Sequence, residues 1–375
     1  MIQTAQKTLL RALAAAGLIA GAAALLAPQG DSHAQSGKAP DLAPLPEAKF
    51  DKRRAELGRY LFFDARLSGD AAISCATCHK PENGWADGQP LSKAYPGSEY
   101  FRNAPTVVNA VFRDRFMWDG RLDGTDLGTL VRDKVTEGHF MQSDGRIIQQ
   151  RLKQVPEYVA MWTEIFGKGS DPYGPAMFGI VGDFVRTLTS RNAPIDRFLK
   201  GDQGAIGAEA KEGHVLYKGK AGCIACHNGP LASDGRFHRT GVPENPEVWN
   251  DPLRAITMLR HYSTQGMPNY MNARTDVGLY AITKDDRHRG MFLTPSLREL
   301  KYTAPYMHNG VFATLAEVVD FYDKGGGKGS VLKGLGLTAA EKKALVAFLE
   351  TMSGEPVKVD VPKSPPYKPR NLGKN

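Results

Sequence analysis

Cysteine is scarce in this chain, four among 375 residues, and all four fall inside one five-residue pattern that occurs twice. None is left for a structural disulfide or a free-thiol nucleophile. Long apolar runs are missing as well. The one candidate, residues 12–27, stops short of the roughly 20 residues that a spanning helix needs, so no stretch reads as a membrane span. Blocks of like charge are also absent. The formal charge is +8, but lysines and arginines are dispersed, apart from the C-terminal tail. That argues against nucleic-acid binding and leaves a basic surface able to steer an acidic protein partner. Alternating apolar and polar runs are few, so strands are expected to be few and short.

What is present begins with an export signal. Lys7 and Arg11 form a short basic region, residues 12–27 are an Ala/Leu-rich core, and Ser32-His33-Ala34 offers small residues where a signal peptidase reads. Residues 1–34 are therefore expected to be a secretory signal peptide, cut after Ala34. The mature protein is expected in the periplasm, with no membrane span after cleavage.

The repeated pattern is Cys75-Ala76-Thr77-Cys78-His79 and Cys223-Ile224-Ala225-Cys226-His227. A C-x-x-C alone also serves redox disulfides and half-sites for zinc. Here a His follows directly in both copies, every cysteine is used, and the chain carries an export signal. Together these read as the attachment signature of c-type haem. Two cysteines three apart reach the two vinyl groups of one porphyrin, and the histidine becomes the proximal iron ligand. Two covalent haem c groups are the expected cofactors.

Helical spacing dominates the remainder. Residues 47–63 form an amphipathic pattern leading into the first motif. A Gly/Pro-rich loop, 81–97, is long enough to line a site. Helical patterns follow at 106–112, 145–154, 158–166 and 177–189. The Gly-rich stretch 201–207 marks a domain boundary near residue 200, and a helix over 208–217 delivers the second motif. Residues 229–289 read as long loops with at most a short hairpin. Thr314-Leu-Ala-Glu317 and Thr338-Ala-Ala-Glu341 are capping boxes, opening helices over 315–323 and 339–352. Residues 355–375, rich in Pro and Lys, read as an extended, weakly ordered tail. The expected fold is mainly α, in two haem domains, 35–200 and 201–355, with a tail at 356–375.

Further motifs carry a resemblance. The segment 293–310, LTPSLRELKYTAPYMHNG, followed by TLAEVV from Thr314, is similar to the C-terminal signature of bacterial di-haem cytochrome c peroxidases and their MauG-type relatives. Arg102-Asn103-Ala104-Pro105-Thr106 and Trp118-Asp119-Gly120-Arg121 resemble two more motifs of that family. The resemblance spans about residues 48–355. It implies two cytochrome c-like domains, with a calcium ion and a tryptophan between the haems. Cys75, Cys78 and His79 would hold a high-spin haem, and Cys223, Cys226 and His227 a low-spin one. Asn103 and the carbonyls of Thr303 and Pro305 would bind the calcium, which favours such oxygen donors. Trp118 would pass electrons between the porphyrins.

Two positions bear on the branch. Peroxidases place a Met, as sixth ligand of the second haem, on the helix after the Thr-Ala-Pro-Tyr segment. The matching position here is Tyr322, as in MauG-type relatives, and an anionic oxygen donor favours ferric and higher states. Many of the peroxidases also hold a distal His in the loop after the first motif. Residues 80–102 contain none, and Tyr95 is near the corresponding place. The resemblance therefore implies a first haem open to hydrogen peroxide, with Glu137 as the distal acid–base group. Gly128 stands where many members have Gln, which leaves the rest of the distal hydrogen-bond set open to His139 or Gln142. The expected function is a MauG-type oxidoreductase: peroxide drives the di-haem pair to a high-valent state that oxidises an aromatic residue of a partner protein. One alternative is a cytochrome c peroxidase fed by a small cytochrome or copper protein. It gains if Met258, Met267, Met271, Met291 or Met307, rather than Tyr322, is the ligand. The other is a non-enzymatic di-haem electron carrier.

Overall fold

Two helices lead into the repeated motifs, and each crosses a later helix at a glycine. Lys52–Phe63 opens at Asp51, whose side chain accepts from the backbone N–H of Arg53 and Arg54. That cap starts the helix later than residue 47. It buries Leu57, Leu61 and Phe62. At Gly58 a Cβ would lie 2.1 Å from the Ile180 carbonyl oxygen, so only glycine lets helix Pro175–Val185 pass this close. Helix Ala208–Lys218 repeats the device. Its Gly213 leaves room for the Ala344 carbonyl of helix Ala339–Glu350, which a Cβ would meet at 2.0 Å.

The computed structural model describes residues 40–124 and 126–367; the expected signal peptide, 1–34, lies outside them. The described residues are mainly α-helical, with two short two-stranded ribbons and long loops. Three apolar cores organise them. The first gathers helices Lys52–Phe63, Leu127–Thr136, Gly145–Leu152, Pro156–Phe166 and Pro175–Val185. The second is built on helices Ala208–Lys218, Leu315–Asp323 and Ala339–Glu350. The third joins Leu91, Tyr100 and Phe101 to Met258, Tyr262, Met267 and Tyr280. Among the described residues no helix is long and apolar enough to cross a membrane.

Several expectations are corrected. Residues 106–112 form no α-helix; only a 3-10 turn stands at Ala110–Phe112. Thr106 Oγ1 donates to the Gly84 carbonyl at 2.6 Å and Val107 N to that of Trp85 at 3.2 Å, so the strip is laced to the first haem loop instead. Residues 229–289 are not only loops: Pro252–Thr264 is a 13-residue helix, capped by Asp251 with Pro at its first turn. The strand pair there is not a local hairpin. Phe237–His238 pairs antiparallel with Phe292–Leu293, tying the stretch after the second motif to the 293–310 segment. The tail is extended but tied down as far as residue 367. Val357 is buried, its carbonyl accepts from Trp85 Nε1 at 2.8 Å, and Pro365 accepts from Arg66.

Candidate haem-binding sites

Cys75–Cys78 is one helical turn, and His79 ends it. Trp85 follows in the left-handed region at φ 62, which turns its carbonyl back to His79 Nδ1 at 3.1 Å. A carbonyl only accepts, so Nδ1 must carry the proton. That leaves Nε2 as a lone-pair donor of raised basicity, the form an iron ligand takes. Burial lowers the His79 pKa, and the charges of Arg113 and Lys134 add to this, so the ring stays neutral.

The second motif repeats this arrangement on different residues. His227 Nδ1 meets the Ala232 carbonyl at 3.0 Å, and Ala232 is again in the left-handed region, at φ 48. Cys223, Cys226 and His227 line a cavity of about 660 Å³, within the size range of cofactor pockets. Tyr322 lines it too, with Leu315, Val318 and Val319 from the same helix. Burial pushes the Tyr322 phenol well above its usual pKa, and the nearby Cys223 and Cys226 act in the same direction. A bound metal cation would draw off that proton. Of the five methionines named as rival ligands, Met307 lines the cavity, whereas Met258 and Met267 are buried in the third core, Met271 is exposed and Met291 is half-buried and does not line the cavity. The donor set fits a haem in a further respect. Arg113 lines the same cavity, and its Nε has no hydrogen-bond partner among the described residues. Burial pulls its pKa down to about 10. Its Nη2 donates to the Val108 carbonyl at 3.4 Å; a half-buried guanidinium with Nε left unpartnered suits an anion, and haem carries two propionates.

Trp118, Asn103, Thr303 and Pro305 all line this cavity. Trp118 sits at the turn of the ribbon Arg115–Phe116/Leu122–Asp123, where its Nε1 donates to the Asn103 carbonyl at 3.0 Å. Asn103 Nδ2 donates to the Gln89 carbonyl at 2.7 Å, which leaves Oδ1 as its free donor atom toward a cation. Among the described residues neither the Thr303 nor the Pro305 carbonyl accepts a hydrogen bond. Oxygens of this kind on cavity-lining residues are donors that calcium takes.

The two arginine-bearing motifs meet in a buried ion cluster. Arg102 Nη1 reaches Asp119 at 2.6 Å, and its Nε and Nη2 grip Asp276 at 2.6 and 2.8 Å. Asp119 also takes Arg121 at 3.1 Å and His261 Nε2 at 3.1 Å. Burial opposes ionisation of Asp119, but the arginine charges hold it well below the usual carboxylate range. Spacing alone does not reveal Asp276 or His261, because their partners are distant in sequence; Arg113 carries no motif.

Glu137 ends helix Leu127–Thr136 and does not line the large cavity; neither do Cys75, Cys78 and His79. Its Oε2 lies 2.9 Å from Lys134 Nζ, 3.6 Å from Arg121 Nη2 and 3.8 Å from His139 Nε2. Burial would raise its pKa, but Lys134 and Arg121 outweigh that and keep it ionised. Gln142 is exposed, and Tyr95 Oη is engaged by the Asp70 backbone N–H at 2.9 Å. Gly128 packs against helix Pro175–Val185, where a Cβ would be 3.2 Å from Gly179 Cα. A side chain there would press on the backbone of Gly179.

The model of the di-haem cytochrome c peroxidase family matches residues 52–204. The chain is 60% identical over 347 residues to the cytochrome-c peroxidase IdrP2 of Denitromonas iodatirespirans, covering 92% of this chain and 94% of that one. It is 36% identical to the methylamine utilization protein MauG of Methylorubrum extorquens, covering 87% and 86%. A crystal structure of a MauG-like protein associated with microbial copper homeostasis superposes with a TM-score of 0.68, at 27% identity, covering 86% of this chain and 95% of that one. The diheme peroxidase BthA from Burkholderia thailandensis shares the fold, with a TM-score of 0.65 at 19% identity over 85% and 95%. Paired C-x-x-C-H turns, each with its histidine set by a carbonyl, and these relatives agree: the chain belongs to the di-haem cytochrome c peroxidase family and is a haem-dependent, peroxidase-type oxidoreductase.

Proposed function

We propose that this chain reduces hydrogen peroxide with electrons from a small donor protein, a cytochrome or a copper protein, after export to the periplasm. Cys75, Cys78 and His79 would hold one haem c within residues 35–200. Cys223, Cys226 and His227 would hold the other within 201–355, with Tyr322 as its sixth ligand. Haem, when bound, supplies the redox chemistry of peroxide cleavage and electron storage. The chain's own residues do the rest. The Trp85 and Ala232 carbonyls fix the tautomers of the two histidines. Glu137, kept ionised, accepts a proton from one peroxide oxygen and returns it to the departing one. Asn103, Thr303 and Pro305 hold a calcium ion, and Trp118 bridges toward the second site.

The observation that carries this reading is the 60% identity, across nearly the whole chain, to a protein named a cytochrome-c peroxidase. It shifts the balance from the MauG-type expectation, whose named relative stands at 36%. Tyr322 in the cavity beside His227 favours the MauG type as a second reading, in which the oxidising equivalents pass to an aromatic residue of a partner. Steady-state assay of the holoprotein with hydrogen peroxide and a reduced small cytochrome or cupredoxin separates them. Sustained donor oxidation is expected. Stoichiometric peroxide giving a long-lived oxidised spectrum, with no donor turnover, supports the second reading instead. No reaction with peroxide at all leaves the electron carrier.

A further inference from the structure

The turn after helix Leu127–Thr136 gathers polar atoms that the fold leaves unpartnered. Arg121 Nη2 and His139 Nε2 stand 3.6 and 3.8 Å from the same Glu137 oxygen, just beyond hydrogen-bond reach. Both are buried and have no hydrogen-bond partner among the described residues. So is the Tyr100 hydroxyl, on a ring stacked against His139 at 5.5 Å and 10°. Leaving such atoms unsatisfied is unfavourable. Gaps of this length between polar groups are those that one small oxygen species bridges. The cluster adjoins the first motif through the haem loop. Cys78 Sγ lies 3.9 Å from the Lys93 carbonyl, and two residues on, Tyr95 N donates to the His139 carbonyl at 3.1 Å.

Hydrogen peroxide is both donor and acceptor at each oxygen, and this cluster offers both. Glu137, ionised, only accepts; Arg121 only donates. Burial drives His139 down to about 3, so its ring is neutral and has one donor and one acceptor nitrogen. Position 128, packed on Gly179, cannot supply the amide found there in many relatives.

We propose that Arg121, His139 and Tyr100 hold the outer oxygen of hydrogen peroxide against Glu137, taking the place of the missing glutamine. This rests on the peroxidase reading above. The test uses the holoprotein and its His139→Phe and Tyr100→Phe variants, which keep the ring stack, with Arg121→Lys as a third. Two quantities are read: the rate of reaction with hydrogen peroxide, by stopped flow, and the C–O stretching frequency of the ferrous carbon monoxide complex. His139→Phe is expected to slow the reaction about a hundredfold, the usual loss for one preorganised donor, and to raise the C–O frequency, with haem content unchanged. Wild-type rates and frequencies in all three variants overturn the proposal. So does a loss of rate with an unchanged frequency, since that marks a merely structural role. A wild-type protein inert to peroxide overturns the peroxidase reading instead, while the C–O frequency still decides the donor set.

Discussion

Lys134 shows how one residue can set the chemistry of its neighbour. It is half-buried, with its Nζ 3.7 Å from the Phe140 ring centroid and 2.9 Å from Glu137. Burial pulls its pKa down to about 8, with Arg121 adding to that and Glu137 opposing it. The other charged or titratable groups facing it are Asp119, His139 and His79. Above pH 8 Lys134 gives up its proton, and the site loses a cation that would stabilise negative charge growing on the departing peroxide oxygen. The rate of reaction with peroxide is therefore expected to fall as pH rises through about 8. In Lys134→Arg, whose guanidinium stays charged, that fall should vanish from the pH–rate profile. The same break in both proteins would assign it to another group.

At the scale of the element, helix Leu315–Asp323 decides where Tyr322 stands. Its capping box is complete: Glu317 N donates to Thr314 Oγ1 at 3.2 Å, and the Glu317 carboxylate accepts from Thr314 N at 2.9 Å. Thr314→Ala should cost about 1 kcal/mol, seen as a lower unfolding midpoint of the holoprotein, whereas Thr314→Ser should hold near wild type. Equal loss in both would place the effect in packing rather than in the cap. Both capping boxes are legible in the sequence because they are local, four-residue signals. Helix Pro252–Thr264 carries a comparable signal in Asp251-Pro252, but its buried face is Thr257, Met258, His261 and Tyr262. A face so mixed in polarity breaks the apolar period that sequence reading relies on. The strip 106–112 errs the other way: it has apolar spacing, but its Val107 N–H is spent on the Trp85 carbonyl and its Asn109 N–H on that of Leu188.

In the whole molecule, the two motifs are alike in sequence and unlike in setting. Local spacing reveals both cysteine pairs, both histidines and the helices that deliver them. The ion cluster that joins the Arg102 and Trp118 motifs needs Asp276, 174 positions from Arg102, and no local pattern signals a pairing that folding alone brings about. The tail likewise gains order only by lying over the first core, where Trp85 and Arg66 hold it. The difference between the motifs is the centre of the account. Glu137 and its unpartnered neighbours adjoin the first motif through the haem loop, where peroxide is proposed to bind. Tyr322 shares the cavity of the second, where it is proposed to close the haem. Electron paramagnetic resonance of the ferric holoprotein and of Tyr322→Phe tests this most directly. Wild type is predicted to give one high-spin and one low-spin haem, and Tyr322→Phe to lose the low-spin signal while the high-spin one stays. A low-spin signal unchanged in Tyr322→Phe, or two low-spin haems in wild type, would contradict it.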